Sequence, residues 1–290
     1  LYNACQALFQ SGDEVIIFSP YWVSFPDFVS VTGAKPIFVN TDPARQFEPV
    51  MDDLKAKITS RTKGIIINSP SNPTGGVWSD EAVLKVLEIA ETAGVWVFSD
   101  ECYEQLTYDR TYISTAMLGK NAEKVLTFQS CSKTYAMTGW RIGYTAGDEK
   151  VIKAMGKLQG QSTSCPSSIA QVAAIEALIG DQSEVTIMRN VFKKRRDYIV
   201  TRLNEMNGVH CDTPGGAFYV FPDFSSYMGD DRNIQSSNDL SMYLLEQKAV
   251  VTVAGKAFGS DGNVRFSYAA SDEDLARAMD LVEETLKELE

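Results

Sequence analysis

Apolar positions in the first half of the chain gather in short runs separated by stretches of a slower rhythm. The runs at 15–18, 36–39, 64–68, 96–99, 125–128 and 142–146 are rich in β-branched and aromatic residues and almost unbroken by polar ones. Such runs predict strands covered on both faces. Between them, 51–58 and 80–93 repeat their apolar residues at helical spacing, with Ser79 placed to cap the second segment and Gly94 to stop it. Strands and helices alternating in this way predict an α/β fold, a mostly parallel sheet wrapped by helices.

The rhythm changes after Gly180. A long helical stretch from about 183 to 206 leads to apolar runs at 217–221, 250–253 and 264–268, then to a closing helix from about 272 to 289. That order predicts a smaller C-terminal α+β domain over 183–290, hung on a connecting helix behind a larger domain over 1–182. Lys193, Lys194, Arg195 and Arg196 form a basic run within the helix, expected to be a solvated face. Leu1, Cys5, Leu8 and Phe9 already lie on the apolar face of a helix, so further sequence is expected upstream.

Composition narrows the function. The 290 residues are 44% hydrophobic and 22% charged, enough for a large core. Asp and Glu number 38 against 27 Lys and Arg, and the net charge of −11 repels a phosphate backbone, so no nucleic-acid partner is expected. No apolar run approaches the roughly 18 residues of a membrane helix, so no membrane partner is expected either. Five cysteines without CxxC spacing do not make a complete disulfide framework and fit a reducing cytoplasm. His210 is the single histidine, which excludes sites needing two imidazoles and leaves it to cap or line a strand edge.

In open α/β sheets ligands collect at the carboxyl ends of the strands. Here the first strand is followed by Ser19, Pro20, Tyr21 and Trp22, the third by a loop containing Asn72, Pro73, Thr74 and Gly75, the fourth by Asp100, Glu101, Cys102 and Tyr103, and the fifth by Ser130, Cys131, Ser132 and Lys133. Thr138, Gly139, Trp140 and Arg141 precede the next. Singly, each segment reads as local structure: a turn, a helix cap, a solvated lysine. Together on one sheet edge, their types suit a ligand that combines a flat ring carrying positive charge, a phenolic oxygen, an aldehyde and a phosphate.

These blocks, Ser-Pro-Tyr-Trp at 19–22, Asn-Pro-Thr-Gly at 72–75, Ser-Asp-Glu-Cys-Tyr at 99–103 and Ser-Cys-Ser-Lys-Thr-Tyr-Ala-Met-Thr-Gly-Trp-Arg-Ile-Gly-Tyr at 130–144, resemble the class I pyridoxal-phosphate aminotransferases of fold type I. The resemblance is strongest to the bacterial aspartate aminotransferase branch, some of whose members also use prephenate, and it covers essentially the whole chain. It implies that the cofactor is pyridoxal 5'-phosphate, that Lys133 forms a Schiff base with it, and that the freed lysine moves a proton from the substrate Cα to the cofactor. It further implies that Asp100 keeps the pyridine nitrogen protonated, that Asn72 and Tyr103 hydrogen-bond the phenolic oxygen, and that Trp22 stacks on the ring. Ser130, Ser132 and Arg141, the last eight positions after Lys133, would hold the phosphate. Arg265 would grip the substrate α-carboxylate, with Trp22 and Asn72 beside it.

The implied activity is transamination between an amino acid, aspartate or another acidic or aromatic-precursor donor, and a 2-oxo acid such as 2-oxoglutarate, in a cytoplasmic homodimer without a metal. Two other activities share these residues: other fold-type-I enzymes such as a C–S lyase, and the aminotransferase-like effector-sensing domain of a transcription regulator. The block from Ala136 to Trp140 favours the aminotransferase. Members of this family carry roughly a hundred further residues ahead of the position of Leu1, about the size of part of a domain, so the larger domain is expected to be incomplete at its N-terminus. Residues that recognise the substrate side chain are expected in that segment or on a partner subunit.

Overall fold

Seven strands form one sheet in the computed structural model, which describes residues 1–119, 122–229 and 234–289. They are β1 Glu14–Ser19, β2 Lys35–Asp42, β3 Glu48–Pro49, β4 Thr62–Asn68, β5 Trp96–Asp100, β6 Val125–Ser130 and β7 Gly143–Ala146, in the order β3-β2-β1-β4-β5-β6-β7. The inner strands are parallel, whereas β3 and β7 run antiparallel at the two edges.

Alternate residues on a strand point to opposite faces, and here both faces are apolar. Ile16, Phe18, Ile65, Ile67 and Val97 pack on one side with Leu54 and Val86 of the helices Met51–Lys57 and Asp80–Ala93. Val15, Ile17, Ile66, Phe98 and Leu126 pack on the other with Cys5, Phe25 and Val151 of the helices Tyr2–Leu8, Ser24–Ser30 and Glu149–Ser162. The helix Asp80–Ala93 begins where Ser79 Oγ accepts from the Ala82 amide at 3.2 Å, and it stops at Gly94 with φ 68°. Among the described helices of seven residues or more, Ser24–Ser30, Glu149–Ser162, Ser168–Ile179 and Ser237–Lys248 fall outside the expected elements.

The remainder builds a second core. Helices Ser183–Asn204, Ser237–Lys248 and Asp272–Leu289 pack Ile199, Leu203, Leu240, Met279 and Val282 against a small antiparallel sheet of β8 Tyr219–Val220, β9 Val253–Ala254 and β10 Val264–Ser267, ordered β8-β10-β9. Two of its strands are shorter and later than expected. Ala217, at φ 56°, gives its amide to the Leu106 carbonyl, and Ala249, at φ 55°, closes the helix Ser237–Lys248 with the Val250 amide donating to the Leu244 carbonyl, so these residues stand outside the small sheet. His210, expected at a strand edge, lies outside the strands, in an isolated backbone bridge to Asp223.

The basic run departs from expectation. Arg196 is 3% exposed, paired with Asp109 and Asp197, donating to the Pro214 carbonyl at 3.1 Å and lying 4.9 Å from the Tyr108 ring centroid. Lys193 also pairs with Asp109, and Arg195 with Asp272. Helical rotation turns position 196 inward, and partners from other segments neutralise it there. Among the described residues no helix is long and apolar enough to cross a membrane.

Layer packing makes a direct prediction. Leu54 is fully buried between helix and sheet, whereas Leu84, on the helix Asp80–Ala93, is 37% exposed. Leu54→Ala should cost about 2–5 kcal/mol and Leu84→Ala well under half of that, read as shifts in the denaturation midpoint. Equal shifts would mean that the sheet does not depend on this layer.

Candidate active site

Loops leaving β1, β4, β5 and β6, the residues entering β7, and the small sheet together enclose a cavity of about 810 Å³. Trp22, Asn72, Asp100, Tyr103, Ser130, Ser132, Lys133, Arg141 and Arg265 all line it. Because β7 is antiparallel, Gly143 at its start lies opposite Ser130 at the end of β6, and this brings Arg141 to the same edge as the carboxyl ends of the parallel strands.

Each side chain is held by its surroundings. Trp22 meets Phe25 and Phe28 edge-on, with ring centroids 5.4 and 5.7 Å away. The loop after β4 is pinned by Asn68, whose side-chain oxygen accepts from the Asn72 amide at 2.9 Å and whose side-chain nitrogen donates to the Asp100 carbonyl at 3.2 Å. Gly75 lets the same loop press on the C-terminal layer: at φ 69°, an added Cβ would stand 2.6 Å from Pro214 and 2.7 Å from the Tyr219 carbonyl. Lys133 lies on the one-turn helix Cys131–Thr134, where Ser130 Oγ accepts from the Ser132 amide at 3.1 Å. Its Nζ sits 5.8 and 5.5 Å from the ring centroids of Tyr103 and Phe218. Arg141 takes the left-handed backbone conformation at φ 53°, uncommon for a residue with a side chain, and its Nη1 donates to the Thr138 carbonyl at 2.8 Å.

The electrostatics are uneven. The Asp100 carboxylate is buried and accepts from the Cys102 amide at 3.3 Å, and burial pushes its pKa above the ordinary carboxylate range. Among the described residues it forms no salt bridge with a cationic side chain. Burial likewise lifts the Cys102 thiol and the Tyr103 phenol well above their usual values. Arg265 is held below the usual arginine value by burial, the Tyr219 ring being 4.4 Å and the Phe258 ring 5.0 Å from its Cζ. Its Nη1 donates to Asn72 Oδ1 at 2.7 Å, while its buried Nε has no hydrogen-bond partner among the described residues. The cavity thus offers a buried carboxylate to a cation, and two arginines to anions at separate places. No cluster of three metal-ligating side chains occurs among the described residues.

Tyr219, Gln129 and Tyr144 also line the cavity and were not among the expected residues. Nothing in the local pattern separates them from ordinary strand residues. Only the pairing of Tyr103 with Tyr219, whose hydroxyls lie 3.1 Å apart, reveals the role of the latter as a wall.

Known proteins share this fold and sequence pattern. Residues 1–282 match the family described as aminotransferase class I and II. The aspartate/prephenate aminotransferase of Cereibacter sphaeroides is 45% identical over 285 residues, covering 96% of this chain and 71% of that protein. The crystal structure of the aspartate aminotransferase from Rhizobium meliloti aligns with a TM-score of 0.93 at 38% identity, over 99% of this chain and 73% of the other. The aromatic aminotransferase from Pyrococcus horikoshii gives 0.93 at 36% identity, over 99% and 76%. Matched along nearly its whole length in both sequence and fold, the chain belongs to the class I and II aminotransferases, enzymes that exchange an amino group between an amino acid and a 2-oxo acid.

Proposed function

We propose that the cavity holds pyridoxal 5'-phosphate and that the protein transaminates an acidic amino acid, aspartate first, with a 2-oxo acid such as 2-oxoglutarate. Asp100 is the observation that carries this reading. A buried carboxylate with a raised pKa and, among the described residues, no salt bridge to a cationic side chain is costly unless a cation joins it, and a protonated ring nitrogen is such a cation. Bound there, the cofactor supplies the electron sink that makes the substrate Cα–H acidic.

The chain's own residues divide the remaining work. Lys133 would be the attachment point and then the base that takes the proton from the substrate Cα at Nζ. Asn72 and Tyr103 would donate to the phenolic oxygen, and the Trp22 ring would fix the ring plane. Arg141, Ser130 and Ser132 would bind the phosphate; the Arg141 guanidinium is already aimed by the Thr138 carbonyl. Arg265, partnered by Asn72, keeps an unpaired buried Nε for the substrate α-carboxylate. Aspartate and prephenate enter this reading from the name of the Cereibacter relative.

The same reading assigns 1–182 to a large cofactor-binding domain and 183–290 to a small one, supported by the separate core that begins near Ile199. A homodimer is supported by the helix Ser168–Ile179, which leaves Ile169, Val172 and Ile179 exposed by 71, 67 and 78%. A cytoplasmic location is supported by five cysteines that are all unpaired.

Three outcomes test the site. Protein loaded with pyridoxal phosphate should show a visible band that shifts on adding aspartate and vanishes in Lys133→Ala; a band of equal strength in the variant, after free cofactor is removed, overturns the attachment point. Asp100→Asn should lower kcat by roughly a hundredfold or more, as for removal of a group aimed at transition-state charge, and near-normal turnover with cofactor bound refutes the pairing. Arg265→Lys should raise KM for amino donors by about tenfold or more, since an ammonium does not reproduce a planar two-point clamp. An unchanged KM counts against the carboxylate role. Product analysis with and without 2-oxoglutarate separates transamination from C–S cleavage.

A further inference from the structure

Tyr103 follows β5, whereas Tyr219 opens β8 in the C-terminal layer. Their hydroxyls meet at 3.1 Å with both groups buried, and either oxygen is able to donate. The Tyr219 ring also lies 4.4 Å from Arg265 Cζ. A tyrosine hydroxyl has a single proton. When Tyr103 directs its proton at the cofactor's phenolic oxygen, the contact with Tyr219 persists only with Tyr219 as the donor.

We infer that Tyr219 is a positioning residue serving two subsites: its hydroxyl orients and polarises Tyr103 toward the phenolic oxygen, and its ring seats Arg265 for the substrate carboxylate. The inference rests on the roles of Tyr103 and Arg265 proposed above. Donation into the Tyr103 oxygen strengthens the donation that Tyr103 makes. A stronger donor favours the negatively charged phenolic oxygen, so the bound cofactor loses its proton at a lower pH. The charged and titratable groups facing the tyrosine pair are Asp100, Cys102, Lys133 and Arg265. All of them stay when only the Tyr219 hydroxyl is removed.

Two variants of the holoenzyme separate the roles. Tyr219→Phe keeps the ring and removes the hydroxyl. The pH midpoint of the bound cofactor's absorbance change should rise by roughly 0.4–1 unit, the worth of one neutral hydrogen bond. Affinity for succinate, a dicarboxylate that does not react, should stay within about twofold because the cation–π contact remains. Tyr219→Leu should show the same rise in midpoint together with succinate binding about three- to thirtyfold weaker. An unmoved midpoint in Tyr219→Phe, or equal losses of succinate affinity in the two variants, overturns the inference while the wild-type band leaves the cofactor assignment standing. Absence of any cofactor band in the wild type overturns that assignment and this inference with it. The Tyr219→Phe result decides by itself if the leucine variant does not fold.

Discussion

Burial of both faces of a parallel sheet constrains where polar chemistry is able to sit. With Ile16, Ile65 and Ile67 facing one helical layer and Val15, Ile17 and Ile66 facing the other, neither face has room for a carboxylate or an ammonium without a severe desolvation cost. Polar groups are displaced to the strand ends. Because β1, β4, β5 and β6 run the same way, their carboxyl ends share one edge, and four separate stretches of sequence are forced into one neighbourhood. The antiparallel β7 completes it by entering where the others leave.

Within that neighbourhood the charges are sorted by how they are neutralised. Arg196 is buried, yet it is matched by Asp109 and Asp197 and so belongs to the architecture. Asp100 and Arg265 are only partly matched: one has the amide and the thiol of Cys102, the other an amide oxygen and two aromatic rings. Groups left in this state raise the energy of the empty cavity and are relieved by a ligand of opposite charge. An unmatched buried charge is therefore a better marker of a site than burial or charge alone.

The cavity also depends on contact between the sheet edge and the C-terminal layer. Gly75 presses against Pro214 and Tyr219, the Gly216 amide donates to the Gly75 carbonyl at 2.9 Å, and Gln46 reaches across to both the Thr213 carbonyl and the Gly215 amide. These straps fix the loop bearing Asn72 against the layer bearing Arg265. That is how a hydrogen bond of 2.7 Å joins residues 193 positions apart.

Much of this was legible in the chain. Strand and helix rhythm placed the parallel strands and the helix Asp80–Ala93 with its cap and stop, because alternation of side chains and helical periodicity are local consequences of backbone geometry. The residue types at the strand ends marked eight cavity-lining positions, since ligands of open parallel sheets collect there, and the ninth, Arg265, was singled out by the family resemblance. What local pattern did not contain was long-range pairing. Whether Arg196 faced water or a carboxylate depended on Asp109, a residue 87 positions away. Tyr219 became part of the cavity only because Tyr103 and Arg265 converge on it. The strands near 217 and 250 are shorter than their apolar runs because the Ala217 amide bonds to the Leu106 carbonyl and the Val250 amide to the Leu244 carbonyl, partners outside the small sheet. Local sequence determined the elements and the chemistry at their ends, and the tertiary structure decided which charges met a partner, because neutralising a buried charge is a matter of distance in space and not along the chain.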